Sequence, residues 1–391
     1  MANHDIYFVA GEASGDNHGA ALMQSLRQLA PDLAFIGRGG PRMGAIAGVN
    51  FRNWTDEAGV VGLWEVVKRY GYFRRQFHQT LAEISKAKPA AVVLIDYPGF
   101  NLRLARALRA RSAAQRIIYY ISPQVWAWNR RRISKMAKWL DLMLCIFPFE
   151  ADLYRKSGLR TVFVGHPMVE NMEAHRIETP RDQDLIGLFP GSRAREIRKI
   201  FPIMIATARK IARIRAGTRF EVAAASERLA FEIRTILSKS DAATMFRIRV
   251  GETAAMMQRA SAGIVASGTA TLEAAWFRLP FVLVYKVSWP TYIVARLLMR
   301  VKYLGMPNVL ADKEIVSEFI QHRAKSREMA KAVLKLLTDS ESRRILISEF
   351  DAIVAKLGAG GANRKAARAI LDEIDEDSRH DNDGLQANSV T

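Results

Sequence analysis

The stretch IYFVAGEASGD, residues 6–16, introduces the pattern that predicts the fold. It begins with a short apolar run typical of a buried strand, and a glycine-containing loop then leads into a helical pattern. A strand that ends in such a loop usually indicates a phosphate-binding turn, but Glu12 and Asp16 have the wrong charge for phosphate. The stretch therefore predicts an α/β unit with another ligand, and Ser14 or Asp16 is also a candidate to cap the helix.

The same alternation of strand-like and helical patterns continues along the chain in two sets. The predicted strands of the first set are residues 6–9, 34–37, 91–95, 117–121, 142–146 and 161–164, and those of the second are 185–189, 220–224, 246–250, 262–265 and 281–284. Strands that alternate with helices predict βαβ units and parallel sheets. We therefore predict an α/β fold with two Rossmann-like, doubly wound domains that face a central cleft.

The domain boundaries follow from length and local composition. A chain of 391 residues suits two domains, and we predict them at residues 1–172 and 185–349, joined by a polar linker. Whether a C-terminal helix at about residues 350–371 packs back on the first domain is left open. The acidic, polar tail at residues 372–391 is predicted to be disordered.

The net charge of +19 indicates an anionic partner, which could be nucleic acid, a phosphorylated metabolite or an acidic membrane surface. A merely solubilising excess of charge is the alternative. Residues 103–140 and 274–311 contain arginine, lysine, tryptophan and tyrosine but no acidic residue. This mixture suits a lipid headgroup interface, and it also suits stacking on single-stranded nucleic acid.

Other classes of protein are disfavoured by what the sequence lacks. The single cysteine, Cys145, argues against a disulfide framework and a cysteine-rich metal site, and no histidine or cysteine cluster has metal-ligand spacing. No apolar window reaches the roughly 18 residues of a membrane span. Neither a P-loop nor a G-x-G-x-x-G motif is present, which disfavours ATPases and NAD-dependent dehydrogenases.

Ligands of open parallel sheets bind beyond the carboxyl ends of the strands, so the residues that follow each strand are the candidates. DYPGFN, residues 96–101, places Asp96 at such an end, either as a general base or as a turn-capping residue. YISPQVWAWNRRR, residues 120–132, follows the next strand. Its candidate residues for the acceptor or membrane side are Ser122, Gln124 and Trp126, with tryptophans in the core as the alternative.

The second half of the chain contains a loop with the charge that phosphate needs. GLFPGSRAREI, residues 187–197, follows one predicted strand and opens a helix. The backbone N–H groups of Gly191 and Ser192 can point at an anion, and Arg193 adds a forked cation suited to a diphosphate. A capped turn with a surface arginine is the alternative.

A second loop in this half complements the first. ASGTATLEAAW, residues 266–276, has small residues at Gly268 and Thr269 that permit close approach to phosphate. Glu273 lies one helical turn later and can accept both hydroxyl groups of a ribose. Together the two loops predict a nucleoside diphosphate site in the second domain.

Two further stretches are candidates for contact with a membrane surface. Residues 60–77 mix apolar and basic residues, and residues 288–304 place Arg296 and Arg300 four apart on one helical face. Such a helix can lie in the headgroup plane of a bilayer. Core helices with snorkelling arginines are the alternative interpretation.

Taken together, the motifs resemble the lipid-A-disaccharide synthases, a family of inverting GT-B glycosyltransferases. The resemblance rests on motifs spread over residues 9–311: VAGEASGD, GGPRM, IDYPGFN, SPQVWAW, FPGSRAREI, SGTATLEAAW and MPNVLA. It implies a hexosyltransferase that joins UDP-2,3-diacylglucosamine to 2,3-diacylglucosamine 1-phosphate and releases UDP, without metal or other cofactor. It also implies a Gram-negative cytoplasm and a peripheral place on the cytoplasmic face of the inner membrane.

The resemblance also assigns roles to individual residues. Asp96 matches the family's catalytic base, and Asn308 matches a polar residue needed for activity. Glu12 and Ser14 would be catalytic residues beside Asp96. Asp16 would lie on the acceptor side, where Glu12 and Asp16 can accept hydrogen bonds from hydroxyl groups. The nucleotide would bind at Gly191, Ser192, Arg193, Gly268, Thr269 and Glu273.

Two alternatives to this function remain at this level. One is another UDP-sugar enzyme of the GT-B type, such as an epimerase or a transferase with a lipid-linked acceptor. The other is a non-catalytic protein that binds anionic lipid or nucleic acid, which would explain the charge but not the loops. We expect no nucleic acid partner, and the oligomeric state is left open.

Overall fold

The structure is a computed structural model that describes residues 5–55, 70–289, 292, 293, 296, 299 and 301–387, with side chains described up to residue 375. Contacts within the chain divide it into two units. The first unit contains residues 1–167 and 357–391, and the second contains residues 168–356.

The first unit is built on a parallel sheet of seven strands in the order β3-β2-β1-β4-β5-β6-β7. Its central strands are continuous apolar runs, such as AVVLI in β4, because both faces of the sheet are buried under helices. The strands are β1 (Ile6–Ala10), β2 (Phe35–Gly39), β3 (Phe51–Asn53), β4 (Ala91–Ile95), β5 (Arg116–Tyr120), β6 (Leu142–Cys145) and β7 (Thr161–Phe163).

The helices of the first unit alternate with these strands, as the sequence pattern predicts. They are α1 (Ala13–Leu29), α2 (Pro41–Ala47), α3 (Tyr70–Ala87), α4 (Pro98–Arg111), α5 (Val125–Trp128), α6 (Arg131–Met136) and α7 (Pro148–Arg155).

The second unit is built on a parallel sheet of six strands in the order β10-β9-β8-β11-β12-β13. Its strands are β8 (Asp182–Phe189), β9 (Arg219–Ala224), β10 (Phe246–Val250), β11 (Ala260–Ala266), β12 (Phe281–Tyr285) and β13 (Glu318–Ile320). Its helices are α8 (Met168–Ala174), α9 (Ala194–Ile214), α10 (Glu227–Leu237), α11 (Thr253–Arg259), α12 (Ala270–Trp276), α13 (Met306–Ala311), α14 (Ser326–Thr338) and α15 (Ser340–Lys356).

Both sheets have the strand order of a Rossmann-like, doubly wound fold, so the predicted fold class is confirmed for each unit. In each sheet the strand order reverses once, between β1 and β4 in the first unit and between β8 and β11 in the second. Two short strands at sheet edges, β3 and β13, were not predicted, because three residues are too few for a periodic pattern.

The unit boundaries differ from the predicted domain boundaries at two places. α8 belongs to the second unit, because Met172 packs into a core with residues of β8 and β12. α15 also belongs to that unit, because Phe350 packs against Phe281 with a ring-centroid distance of 5.6 Å. The second unit therefore starts at residue 168 rather than 185, and it ends at residue 356 rather than 349.

The C-terminal helix α16 (Ala362–Ala387) packs against α1 in the first unit. Ala366, Ala367 and Ile370 are buried in it, and the buried Glu373 pairs with Arg160 at 3.0 Å. The helix continues to residue 387, whereas the sequence predicts disorder from residue 372, and residues 388–391 lie outside the described part.

Within the described ranges, no helix combines the length and apolarity needed to cross a membrane.

Candidate active site

Asp96 lies directly after β4, at the point where the strand order of the first sheet reverses. Its carboxyl group is mostly buried, and burial together with the neighbouring carboxylate of Glu12 raises its pKa to about 6. A backbone hydrogen bond at Tyr97 opposes that rise. A carboxylate with this pKa is a stronger base than an ordinary aspartate and is still ionised at neutral pH.

The backbone at this position has an unusual conformation. Asp96 and Tyr97 have φ values of 45° and 51°, in the left-handed region that non-glycine residues rarely adopt. Such conformations cost free energy and persist only where surrounding contacts fix them.

Two buried side chains provide those contacts. Asn101 donates through Nδ2 to the carbonyl oxygen of Asp96 at 2.8 Å and to that of Ile95 at 3.2 Å. The hydroxyl group of Tyr119 donates to the same Asp96 carbonyl. Neither residue was predicted from the sequence to have a positioning role, although Asn101 lies within the DYPGFN motif.

Glu12 is the N-cap residue of α1, shortly after β1, and Ser14 lies in the first turn of that helix. β1 is next to β4 in the sheet. Glu12 is half-buried and Ser14 is exposed. Burial, and to a smaller extent the negative charge of Glu12, raises the pKa of Tyr97 to about 12. A side chain at Gly11 would clash with the ring of Tyr97, so the glycine permits the two loops to meet. The structure thus brings Glu12 to Asp96, whereas Ser14 faces solvent at the start of α1.

Asp16 has a different role from the one predicted for it. Its carboxylate is 3% exposed and accepts hydrogen bonds from the backbone N–H groups of Gly40, Arg42 and Met43, at 2.9 to 3.1 Å. It therefore caps α2 rather than the helix that contains it. Because the carboxylate is buried and already accepts three backbone hydrogen bonds, the structure favours the capping role of Asp16 over the predicted place on the acceptor side.

The three residues after β5 that were predicted to face the acceptor or the membrane differ in exposure. Trp126 is 6% exposed; its Nε1 donates to Glu150 Oε1 at 2.9 Å, and its ring packs edge-on against Phe149. Ser122 is buried as well, and Gln124 alone of the three is exposed. Trp126 therefore follows the alternative interpretation, a tryptophan in the core, and does not lie on an acceptor or membrane surface.

In the second unit, the loop after β8 has the features expected of an anion site. Gly191 has a φ of 114°, which favours glycine, and an added side chain would meet Glu196. Arg193 is the N-cap residue of the long helix α9, and its side chain is 58% exposed. Its Nη1 lies 3.4 Å from Glu196 Oε1, a weak contact that leaves the guanidinium group available to a ligand.

The loop after β11 lies beside β8 in the same sheet, where the strand order reverses. Gly268 and Thr269 are exposed, and the Thr271 hydroxyl group donates to the Gly268 carbonyl at 2.7 Å. Glu273 lies one turn into α12, and burial raises its pKa.

Tyr285, at the end of β12, lies near this anion site and was missed by sequence analysis. Burial raises its pKa, Glu196 raises it further, and Arg193 lowers it. The hydroxyl group of Tyr285 therefore lies within range of the electrostatic interaction with Arg193.

Asn308 has no free hydrogen-bonding group for a substrate. It is fully buried; Nδ2 donates to the Val316 carbonyl and to Glu318 Oε1, and Oδ1 accepts from the N–H groups of Ile315 and Val316. Glu318 also accepts from the Gly305 N–H at 2.8 Å. Asn308 is thus a positioning residue that fixes residues 305–316, which favours an indirect role in the activity for which the resemblance makes it necessary.

The predicted membrane-facing stretches are described only in part. Arg296 is exposed, as are Trp289 and Ile293, whereas Arg300 and residues 56–69 lie outside the described residues.

The family model described as lipid-A-disaccharide synthetase matches residues 6–370. A lipid-A-disaccharide synthase of Geobacter sulfurreducens is 37% identical over 384 residues, which covers 95% of this chain and 98% of that protein.

Solved structures with a similar fold have much lower sequence identity. The UDP-GlcNAc 2-epimerase of Neisseria meningitidis, bound to UDP-GlcNAc, has a TM-score of 0.61 at 10% identity and covers 94% of this chain and 100% of that one. A ugt transferase of Siraitia grosvenorii in complex with UDP has a TM-score of 0.54 at 12% identity, with coverages of 95% and 99%. These likenesses show the GT-B fold, and the match over residues 6–370 shows that the chain belongs to the lipid-A-disaccharide synthase family of glycosyltransferases.

Proposed function

We propose that the chain transfers the sugar of UDP-2,3-diacylglucosamine to the 6-hydroxyl group of 2,3-diacylglucosamine 1-phosphate, with inversion at the anomeric carbon. The observation that carries this proposal is Asp96, a carboxyl group with a pKa of about 6 held at the switch point of the first sheet. Ligands of such sheets bind at this point.

Asp96 acts as the general base in this proposal. It takes the proton from the acceptor hydroxyl group while the oxygen forms a bond to the anomeric carbon of the donor. The bond from that carbon to the diphosphate breaks, and its electron pair leaves with UDP. Attack from the face opposite the leaving group inverts the anomeric centre.

Glu12 supports the base in two ways. Its negative charge raises the pKa of Asp96, which makes Asp96 a better proton acceptor. Its own carboxylate is half-buried and is placed to accept a hydrogen bond from a hydroxyl group of the acceptor. Ser14, exposed in the first turn of α1, is proposed to contact the acceptor from the solvent side.

We assign the nucleotide to the second unit. The N–H groups of Gly191 and Ser192 at the start of α9, with the Arg193 guanidinium, would bind the diphosphate and stabilise the negative charge that develops as UDP leaves. Gly268 and Thr269 would admit the phosphates closely, and Glu273 would accept the ribose hydroxyl groups. The complexes of similarly folded proteins with UDP-GlcNAc and UDP support a UDP-sugar as donor.

Both proposed substrates carry acyl chains and phosphate, which accounts for the charge of +19. We therefore propose a peripheral place on the cytoplasmic face of the inner membrane, with Gln124 and Arg296 exposed toward the acceptor or the anionic lipid surface. Attraction of this kind weakens as salt screens the charges.

The test is UDP release measured with both acylated substrates, with the lipid product identified by mass spectrometry. The proposal predicts a tetraacyl disaccharide 1-phosphate and an equal amount of UDP. UDP-GlcNAc turned over alone, without an acceptor, would instead indicate an epimerase.

A further inference from the structure

A basic pocket of about 510 Å³ opens in the first unit beside the loop that carries Asp96. Its lining starts at Pro98 and Gly99, directly after the left-handed turn, and continues along α4 to the segment around α6. The lining residues with positive charge are Arg103, Arg106, Arg131, Arg132 and Lys135. None of them has a role in the function proposed above.

Among the residues that the structure describes, the five positive charges have no acidic counterpart in the pocket. Its lining contains no aspartate or glutamate, and within the described part of the chain none of the five side chains forms an ion pair. Arg103 and Arg106 are three residues apart on one helix, and Arg131 and Lys135 are four apart on the other. Like charges at these spacings repel each other and destabilise a helix, so the arrangement indicates an anionic ligand.

The remaining lining is apolar or aromatic. Leu102 is buried and Trp139 is half-buried, and both contribute to the wall beside the arginines. The guanidinium carbon of Arg132 lies 4.7 Å from the centroid of the Trp128 ring, a cation–π contact that favours this position of the side chain. Forked guanidinium groups suit phosphate oxygens, and the apolar wall suits the face of a sugar or the start of an acyl chain.

We propose that this pocket binds the phosphate group of the acceptor sugar. The inference rests on the proposed function, because the acceptor is the substrate that meets Asp96. Arg103 lies five residues after Pro98, about 7.5 Å along the axis of α4 at 1.5 Å per residue. A phosphate held there leaves its sugar at the turn that carries the base.

The test compares two double variants in detergent solution, by steady-state kinetics. Arg103→Ala with Arg106→Ala removes two charges from the pocket, and Arg111→Ala with Lys138→Ala removes two exposed charges nearby that do not line it. We expect the pocket variant to raise the KM for the acceptor roughly tenfold or more, and the KM for the donor to stay unchanged. With 2,3-diacylglucosamine, which lacks the phosphate, wild type and pocket variant should have equal KM values.

Three results would overturn the pocket assignment. One is an unchanged acceptor KM in the pocket variant, and another is the same increase in both double variants, which would indicate general attraction to anionic lipid. The third is a normal acceptor KM in detergent together with weaker sedimentation of the pocket variant with phosphatidylglycerol vesicles. That result would indicate that the pocket binds the headgroups of membrane lipids. Absence of turnover in the wild type would contradict the proposed function instead.

Discussion

Asn101 donates a hydrogen bond of 2.8 Å from its buried side chain to the backbone carbonyl of Asp96, and so fixes a residue whose φ is 45°. The same amide also contacts the carbonyl of Ile95, the last residue of β4. A contact at the end of a rigid strand thus determines where the proposed base points.

Replacing Asn101 with alanine should lower kcat about 10- to 100-fold, because a small displacement of the base slows the chemical step. The KM for the UDP-sugar should stay within twofold, because the displacement does not affect nucleotide binding. Steady-state kinetics with both substrates measures this split. The matched control is Asn17→Ala, an exposed asparagine on α1, which should leave both constants unchanged. A normal kcat in Asn101→Ala would show that this hydrogen bond does not place the base.

Replacing Asp16 with alanine should destabilise the first unit by about 1–2 kcal/mol, because three backbone N–H groups at the start of α2 lose their acceptor. Urea unfolding followed by circular dichroism measures the change. The affinity for UDP should be unaffected, since the nucleotide is assigned to the second unit. Unchanged stability together with a raised acceptor KM would show that Asp16 contacts substrate after all.

The pH dependence follows from the pKa of Asp96. Because Asp96 must be ionised to accept a proton, kcat/KM should fall as the pH drops below about 6. In Glu12→Gln the neighbouring negative charge is removed, the pKa of Asp96 decreases, and the acidic limb of the profile should move to lower pH. A limb that stays in place or moves to higher pH would contradict the coupling between these carboxyl groups.

Replacing Arg193 with alanine should weaken UDP binding about 10- to 100-fold, because a charge-assisted contact to the diphosphate is lost. Isothermal titration calorimetry with UDP measures the affinity. The control is Arg198→Ala, five residues further along the chain in α9, which removes the same charge from an arginine paired with Glu232. This variant should bind UDP normally. Equal losses in both variants would point to general electrostatics rather than to a diphosphate contact.

Much of this arrangement could be predicted from sequence because it depends on local pattern. Strand-like runs followed by small or acidic residues predicted that Glu12, Asp96, Gly191 and Gly268 follow strand ends. In the structure β1 neighbours β4 and β8 neighbours β11, which brings Glu12 near Asp96 and the loop of Gly191 near that of Gly268. The sequence pattern alone did not contain that order, which arises from the packing of the sheets.

The errors have tertiary causes. Asp16 caps a helix 24 or more residues away in the chain, and no local pattern links it to Gly40. Trp126 was a candidate for the acceptor or membrane side because arginines follow it in the sequence. In the structure its ring donates a hydrogen bond to the buried Glu150. Asn308 was expected to be needed for activity. Its side chain bonds to Val316 and Glu318, which come near it only in the folded chain.

The central claim is that Asp96 is the base, and turnover by Asp96→Asn tests it most directly. This variant removes a carboxylate whose charged form is disfavoured by burial, so its free energy of unfolding at pH 8 should not decrease. UDP affinity, measured by calorimetry, should match the wild type. The account predicts that product formation at saturating donor and acceptor falls roughly 10²- to 10⁴-fold. Turnover near that of the wild type, in a folded variant that binds UDP, would contradict it.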